Sequence, residues 1–266
     1  LIGLIKKYIL WTYLLFFAFI LLIGLVMFVF KSEPVAGLLQ GLSAWTATIV
    51  FVVMFRKIYP QGNLIEFIKE KFRKKVKITT VLCIIFLQLF LLGGSLLIIK
   101  FIWNVSISEQ VTASWVTLLI LFGSHIILGP LGEELGWRGF VLDELQKRFS
   151  PLKSSIIVGV GWGFWHAPLW FIASEYSGLQ LVQYIICFIV SIIAVSIIIT
   201  VFYNLNHNLV IPILIHQLFN FFLAIQVRDL LPILTVTAFL YLAVAVVLIV
   251  INGNRRGGYC QLIGET

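Results

Sequence analysis

Long apolar stretches recur along the whole chain, separated only by short polar connections. A stretch of about 18 or more apolar residues is long enough to cross the hydrocarbon of a bilayer as a helix. There the backbone must satisfy its own hydrogen bonds, so such a chain folds as helices. Hydrophobic residues make up 61% of the 266 and charged residues only 11%. That balance excludes a soluble globular protein and predicts an all-α fold, a polytopic membrane helical bundle. About eight transmembrane helices are expected, near residues 8–30, 35–55, 78–103, 117–140, 152–173, 181–203, 209–227 and 231–251. No polar tract is long enough to form a second domain, so residues 1–266 are read as one transmembrane domain. The first apolar stretch has no small-residue cleavage site, which favours a retained span over a signal peptide.

The Lys and Arg residues give an orientation, because cytoplasmic loops carry the excess of positive charge. With the N-terminus inside, 16 of the 19 fall on the cytoplasmic side; only Lys31, Lys100 and Arg228 fall on the other. Both termini are therefore expected in the cytoplasm, with the protein in the plasma membrane. This asymmetry accounts for most of the +8 net charge, so no nucleic-acid partner is implied. Residues 63–77 place Leu64, Ile68 and Phe72 four apart among Lys69, Lys71, Arg73, Lys74, Lys75 and Lys77. They predict an amphipathic helix on an anionic leaflet. Cys83, Cys187 and Cys260 are widely spaced and make no C-x-x-C, so neither a disulfide framework nor a Cys-ligated metal is implied.

The fourth apolar stretch closes on Gly132-Glu133-Glu134-Leu135-Gly136-Trp137-Arg138. Charged groups in hydrocarbon are costly and mark functional positions. Helical spacing puts Glu134 and Arg138 on one face, where they can pair. Glu133 lies about 100° round the helix and points elsewhere. Pro130 removes one backbone hydrogen bond just before them and favours a kink.

Two further stretches carry polar groups that a membrane helix must account for. The fifth holds Trp162 and His166, four apart, on a helix whose Gly159 and Gly163 invite close packing. The seventh holds His216 and Asn220, again four apart. At about 1.5 Å per residue the depths of His166, His216 and Asn220 agree, and Glu133 joins them if the fourth helix carries on through Arg138. His125 is read as a satisfied helix residue and His207 as a solvated loop residue.

A carboxylate and an imidazole can together bind and polarise a water. A His–Asn pair offers donors to a carbonyl oxygen that gains charge. Glu133, His166, His216 and Asn220 thus supply the parts for attack of water on a peptide bond, with Glu134 and Arg138 bracing Glu133. A metal reading uses Glu133, His166 and His216 as a two-His-one-carboxylate set suited to zinc. The sequence does not separate the two. Rival classes are a non-catalytic scaffold or immunity protein of the same fold, and an ion- or proton-coupled transporter. The absence of an internal repeat weakens the transporter.

Glu133-Glu134-x-x-x-Arg138, Trp162-x-x-x-His166 and His216-x-x-x-Asn220, in this order on separate spans, resemble the motif set of the CPBP family. These are the CaaX proteases and bacteriocin-processing enzymes, also called the Abi family, and include the type II CaaX prenyl endopeptidase. The resemblance covers roughly residues 117–222. It implies an eight-helix intramembrane endopeptidase whose cavity opens to the cytosol, acting on a membrane-associated peptide or lipidated protein. It implies Glu133 and His166 as water-activating residues and His216 and Asn220 as oxyanion stabilisers. Glu134 and Arg138 carry over as motif members. Trp162 departs from the Phe common at its position. The family has been labelled both metalloprotease and glutamate-dependent protease, so zinc stays open.

Overall fold

The computed structural model describes residues 2–112, 114–172 and 174–259, with side chains through Asn252. Cys260, read above as an isolated thiol, and Ala173, the expected end of the fifth span, lie outside the described residues. The regular elements among the described residues are helices: α1 (Ile2–Val29), α2 (Glu33–Ala44), α3 (Thr46–Ile58), α4 (Leu64–Arg73), α5 (Ile78–Trp103) and the short α6 (Ile107–Gln110) come first. Then follow α7 (Trp115–Ile127), α8 (Pro130–Gly136), a π-helical turn (Trp137–Leu142) and α9 (Asp143–Gln146). The chain closes with α10 (Pro151–Trp165), α11 (Ala167–Ile172), α12 (Gly178–Asn206), α13 (Val210–Ala224) and α14 (Leu230–Tyr259).

Five helical stretches among the described residues are long and apolar enough to cross a membrane, or six if the bent pair α2 and α3 counts as one. The protein is thus a polytopic helical membrane protein. The expected spans 152–173 and 209–227 correspond to shorter helices: α10 with α11, and α13. The expected continuous helix at 35–55 is instead bent by 53° at Trp45.

Glycines decide where helices touch. A methyl group on Gly132 would stand 2.6 Å from the Ala44 carbonyl oxygen and 3.0 Å from Trp45 Cα. On Gly136 it would stand 2.0 Å from Tyr8 Oη. The two glycines are four apart and flank the glutamate pair, so α8 lies directly on the bend between α2 and α3, with α1 alongside. Tyr8 donates its hydroxyl to the Ala47 carbonyl at 3.0 Å, which keeps that buried O–H paired. Gly159 and Gly163 play the expected part on α10: methyls there would meet Ile193 Cα at 2.9 Å and Ile189 Cδ1 at 2.8 Å on α12.

The amphipathic stretch forms α4, capped by Asn63, whose side chain accepts from the Ile65 and Glu66 amides. The helix ends at Arg73, and extended backbone carries the remaining lysines. Phe67 packs against Phe51, Phe55 and Tyr59, whereas Ile65 and Phe72 stay exposed. Its C-terminal end is tied to the start of α13: the Leu209 amide donates to the Lys71 carbonyl at 2.9 Å, and Asn208 Nδ2 donates to the Phe72 carbonyl at 2.9 Å.

Gly132→Ala should lower stability by about 1–3 kcal/mol, the usual cost of overpacking where backbone cannot move aside. Gly123→Ala is the control, since its methyl would meet nothing within 4 Å. Thermal unfolding in detergent should separate the two variants.

Candidate functional site

The helix that carries the glutamates is interrupted just before them. α7 ends at Ile127, and Leu128-Gly129 form a turn before Pro130 starts α8. Proline suits that first helical position, where its missing N–H would have had no partner. The Ile127 carbonyl is taken by the indole N–H of Trp45 at 3.0 Å. After the break, α8 presents Glu133 and Glu134 to different neighbours, as their angular offset requires.

Glu134 is wholly enclosed, 0% exposed, and so is Arg138. Arg138 Nη1 donates to Glu134 Oε1 at 2.8 Å, and His216 Nδ1 reaches the same oxygen at 2.7 Å. A carboxylate oxygen only accepts, so His216 carries its proton on Nδ1. The i, i+4 pair expected from spacing is therefore present, and it also anchors His216 from α13. The Arg138 guanidinium lies over the Trp162 ring, 4.2 Å from its centroid.

Glu133, 4% exposed, faces α10 instead. Its Oε2 accepts the Trp162 indole N–H at 2.6 Å, while Oε1 accepts no hydrogen bond from a described residue. His166 is the residue at which α10 ends, in a turn before α11. Its Nδ1 lies 2.9 Å from the Trp162 carbonyl, which can only accept. In the neutral ring the proton is thus on Nδ1, and Nε2 is left as an acceptor.

On the α13 side, His216 Nε2 and the Asn220 carboxamide make no hydrogen bond to a described residue. Both face Gly129 at the break: a methyl there would stand 3.0 Å from Asn220 Nδ2 and 3.7 Å from His216 Nε2. The absence of a side chain at Gly129 keeps this pair of groups open.

The six residues singled out in the sequence, Glu133, Glu134, Arg138, His166, His216 and Asn220, thus converge from α8, the π-helical turn, the end of α10 and α13. His125 turns back on its own helix, with Nδ1 2.7 Å from the Leu121 carbonyl, and takes no part. His207 is exposed in the connection to α13. Glu133, His166 and His216, the residues proposed for zinc, each use one atom on a different group: Trp162 Nε1, the Trp162 carbonyl and Glu134. Among the described residues no three His, Cys, Asp or Glu side chains are grouped as a metal ion would need.

Sequence reasoning missed Gly129, Trp45 and the part played by Trp162 beyond its spacing. For Trp162 a signal existed: a buried indole N–H needs an acceptor, and the carboxylates in these spans are few. For Trp45 none did, because its partner is a backbone carbonyl freed by a distant helix break.

Residues 114–222 match the family model of the Rce1-like type II CAAX prenyl endopeptidases. The chain is also similar to the CAAX prenyl protease 2 of Methanococcus maripaludis, with 36% identity over 132 residues. That alignment covers 48% of this chain and 46% of the relative. The chain thus spans about half the length of the curated relative that it matches.

Removing Glu134 should unfold the site before it alters any chemistry. Glu134→Ala leaves Arg138 buried without a carboxylate, a loss of about 3–5 kcal/mol for breaking a buried pair. Replacing both partners, Glu134→Ala with Arg138→Leu, should recover much of the lost thermal stability. Equal stability of wild type and Glu134→Ala would show that the pair does not hold the site.

Proposed function

We propose, from the premise that the chain belongs through residues 114–222 to the Rce1-like type II CAAX prenyl endopeptidase family, that it is an intramembrane endopeptidase. The observation that carries the reading is the division of hydrogen bonds around Trp162. It leaves Glu133 Oε1 and His166 Nε2 as two unused acceptors on adjoining helices.

Two acceptors suit one water. The water donates a hydrogen to each and turns its lone pair towards a carbonyl carbon. Glu133 takes the proton as the new C–O bond forms and the carbonyl π bond breaks. The oxygen that gains negative charge is met by Asn220 Nδ2 and by His216 Nε2, which donates when the ring carries both protons. Collapse of the tetrahedral intermediate breaks the C–N bond, and the proton held by Glu133 passes to the leaving amine. Arg138 and Glu134 touch no reacting atom in this scheme; they hold the His216 ring. The scheme is written without a metal, in keeping with His, Cys, Asp and Glu side chains that are not grouped three together as a metal ion would need among the described residues.

The proposed substrate is a peptide presented from the membrane, with the C-terminal tripeptide after a prenylated cysteine as the first class to test. The proposal includes eight crossings, the six counted by length together with residues 151–172 and α13. Support comes from the site itself, since both shorter stretches contribute residues to the same polar cluster as α8. The Lys and Arg asymmetry supports cytoplasmic termini.

In proteoliposomes with a farnesylated CaaX peptide, Glu133→Gln and His166→Ala should each lower kcat by about 10²–10⁴-fold, the range for a lost general base or its partner. Undiminished hydrolysis in both variants would overturn the assignment. Asn220→Ala should cost about 10²–10³-fold in kcat with a small change in KM, as for a lost oxyanion donor. Gly129→Ala should resemble it, since its methyl would cover the same donor. A chelator should leave wild-type turnover unchanged; loss of turnover restored by zinc would replace the water-activation scheme with a metal one.

A further inference from the structure

We infer that Trp162 is a positioning residue that sets which atoms of Glu133 and His166 are free to act on water. This deepens the endopeptidase reading and rests on it. One residue serves several neighbours here. The Trp162 indole N–H occupies Glu133 Oε2 at 2.6 Å. Its backbone carbonyl accepts from His166 Nδ1 at 2.9 Å. The ring face lies under the Arg138 guanidinium at 4.2 Å. The ring also meets His216 edge-on, with centroids 4.8 Å apart and planes at 75°. Trp162 itself is 1% exposed, so its rotamer is held by packing on every side.

Each contact has a chemical consequence. A carboxylate on a short side chain has two equivalent oxygens and can swing about its χ angles. An indole N–H on one oxygen breaks that equivalence and leaves Oε1 as the base. The carbonyl contact fixes the His166 tautomer, so Nε2 accepts in the neutral ring. The main chain can supply the second effect with any residue at position 162. Only the side chain can supply the first, and among the aromatic residues phenylalanine has no donor to do so. Tyrosine carries its O–H at the far end of a narrower ring, so it would not put a donor where the indole nitrogen stands.

Trp162→Phe therefore removes one hydrogen bond while keeping an aromatic ring against Arg138 and His216. It should lower kcat about 10- to 100-fold and leave KM within about twofold, the pattern for an interaction that matters in the transition state. In the Glu133→Gln background the same substitution should cost little further, because the group it positions is gone. A merely structural role would lower both backgrounds alike. Selective ¹⁵N labelling of tryptophan supplies a measurement independent of turnover and of how Trp162→Phe folds. The Trp162 indole N–H resonance should lie far downfield in the wild type and move upfield in Glu133→Gln. An unmoved resonance, or Trp162→Phe with full kcat, overturns the positioning role. If wild type and Glu133→Gln hydrolyse equally, the endopeptidase reading fails; a moved resonance would then still establish the contact between Trp162 and Glu133.

Discussion

An ion pair buried in a membrane protein dictates the arrangement of its neighbours. Arg138 and Glu134 are both fully enclosed, and each charge taken from water costs several kcal/mol unless its partner is well placed. Here the carboxylate oxygen Oε1 serves two donors, Arg138 and His216, and the guanidinium face is covered by an aromatic ring. These contacts come from three separate stretches of chain. Displacing any of them removes part of what compensates a charge buried where an unpaired one is severely penalised. The candidate chemistry on Glu133 and His166 is built beside this pair and takes its rigidity from it.

The pair can form only if the backbones come close. That is the role of the first three helices, which carry no residue of the site. Gly132 and Gly136 let α8 settle against the bend at Trp45 and against Tyr8, and this turns the glutamates inward towards α10 and α13. On the opposite side Gly159 and Gly163 seat α10 on α12 and set the depth of Trp162. Lipid tails are as apolar as leucine, so such helices gain little from burying apolar surface and depend on close backbone packing. Small residues on either side of the charged motif therefore belong to the site as much as the charges do.

Much of this could be read in advance, and the reasons are specific. Glu134 and Arg138 were legible as a pair because i, i+4 spacing on a helix is geometric. His166, His216 and Asn220 stood out because polar groups in hydrocarbon need a reason. The anchoring of His216 by Glu134 was not legible, since spacing says nothing about which of two adjacent carboxylates a distant helix meets. Nor was the bend at Trp45, where neither proline nor glycine marks the break. At His166 the signal was present: Pro168 disfavours helix at the residue before it, yet the apolar run read as one continuous span. The amphipathic stretch was legible as a helix, but Phe67, outside its expected apolar stripe, is the residue that packs into the bundle.

The breaks in the helices border the polar cluster. In a membrane an interrupted helix exposes backbone groups that lipid cannot satisfy, so interruptions survive only where protein or an internal cavity meets them. Among the described residues three adjoin the cluster: between α2 and α3, between α7 and α8, and between α10 and α11. Trp45, at the first, hydrogen-bonds the Ile127 carbonyl at the edge of the second. Gly129, inside the second, borders the free groups of His216 and Asn220. His166 is itself the residue at which the third occurs. Continuous helices would have fixed the same side chains on smooth cylinders packed against one another. Interrupting the helices beside the cluster leaves His166 Nε2, His216 Nε2 and the Asn220 carboxamide without a hydrogen bond to a described residue while the buried ion pair holds their surroundings, and this combination is what turns a polar cluster into a candidate for chemistry.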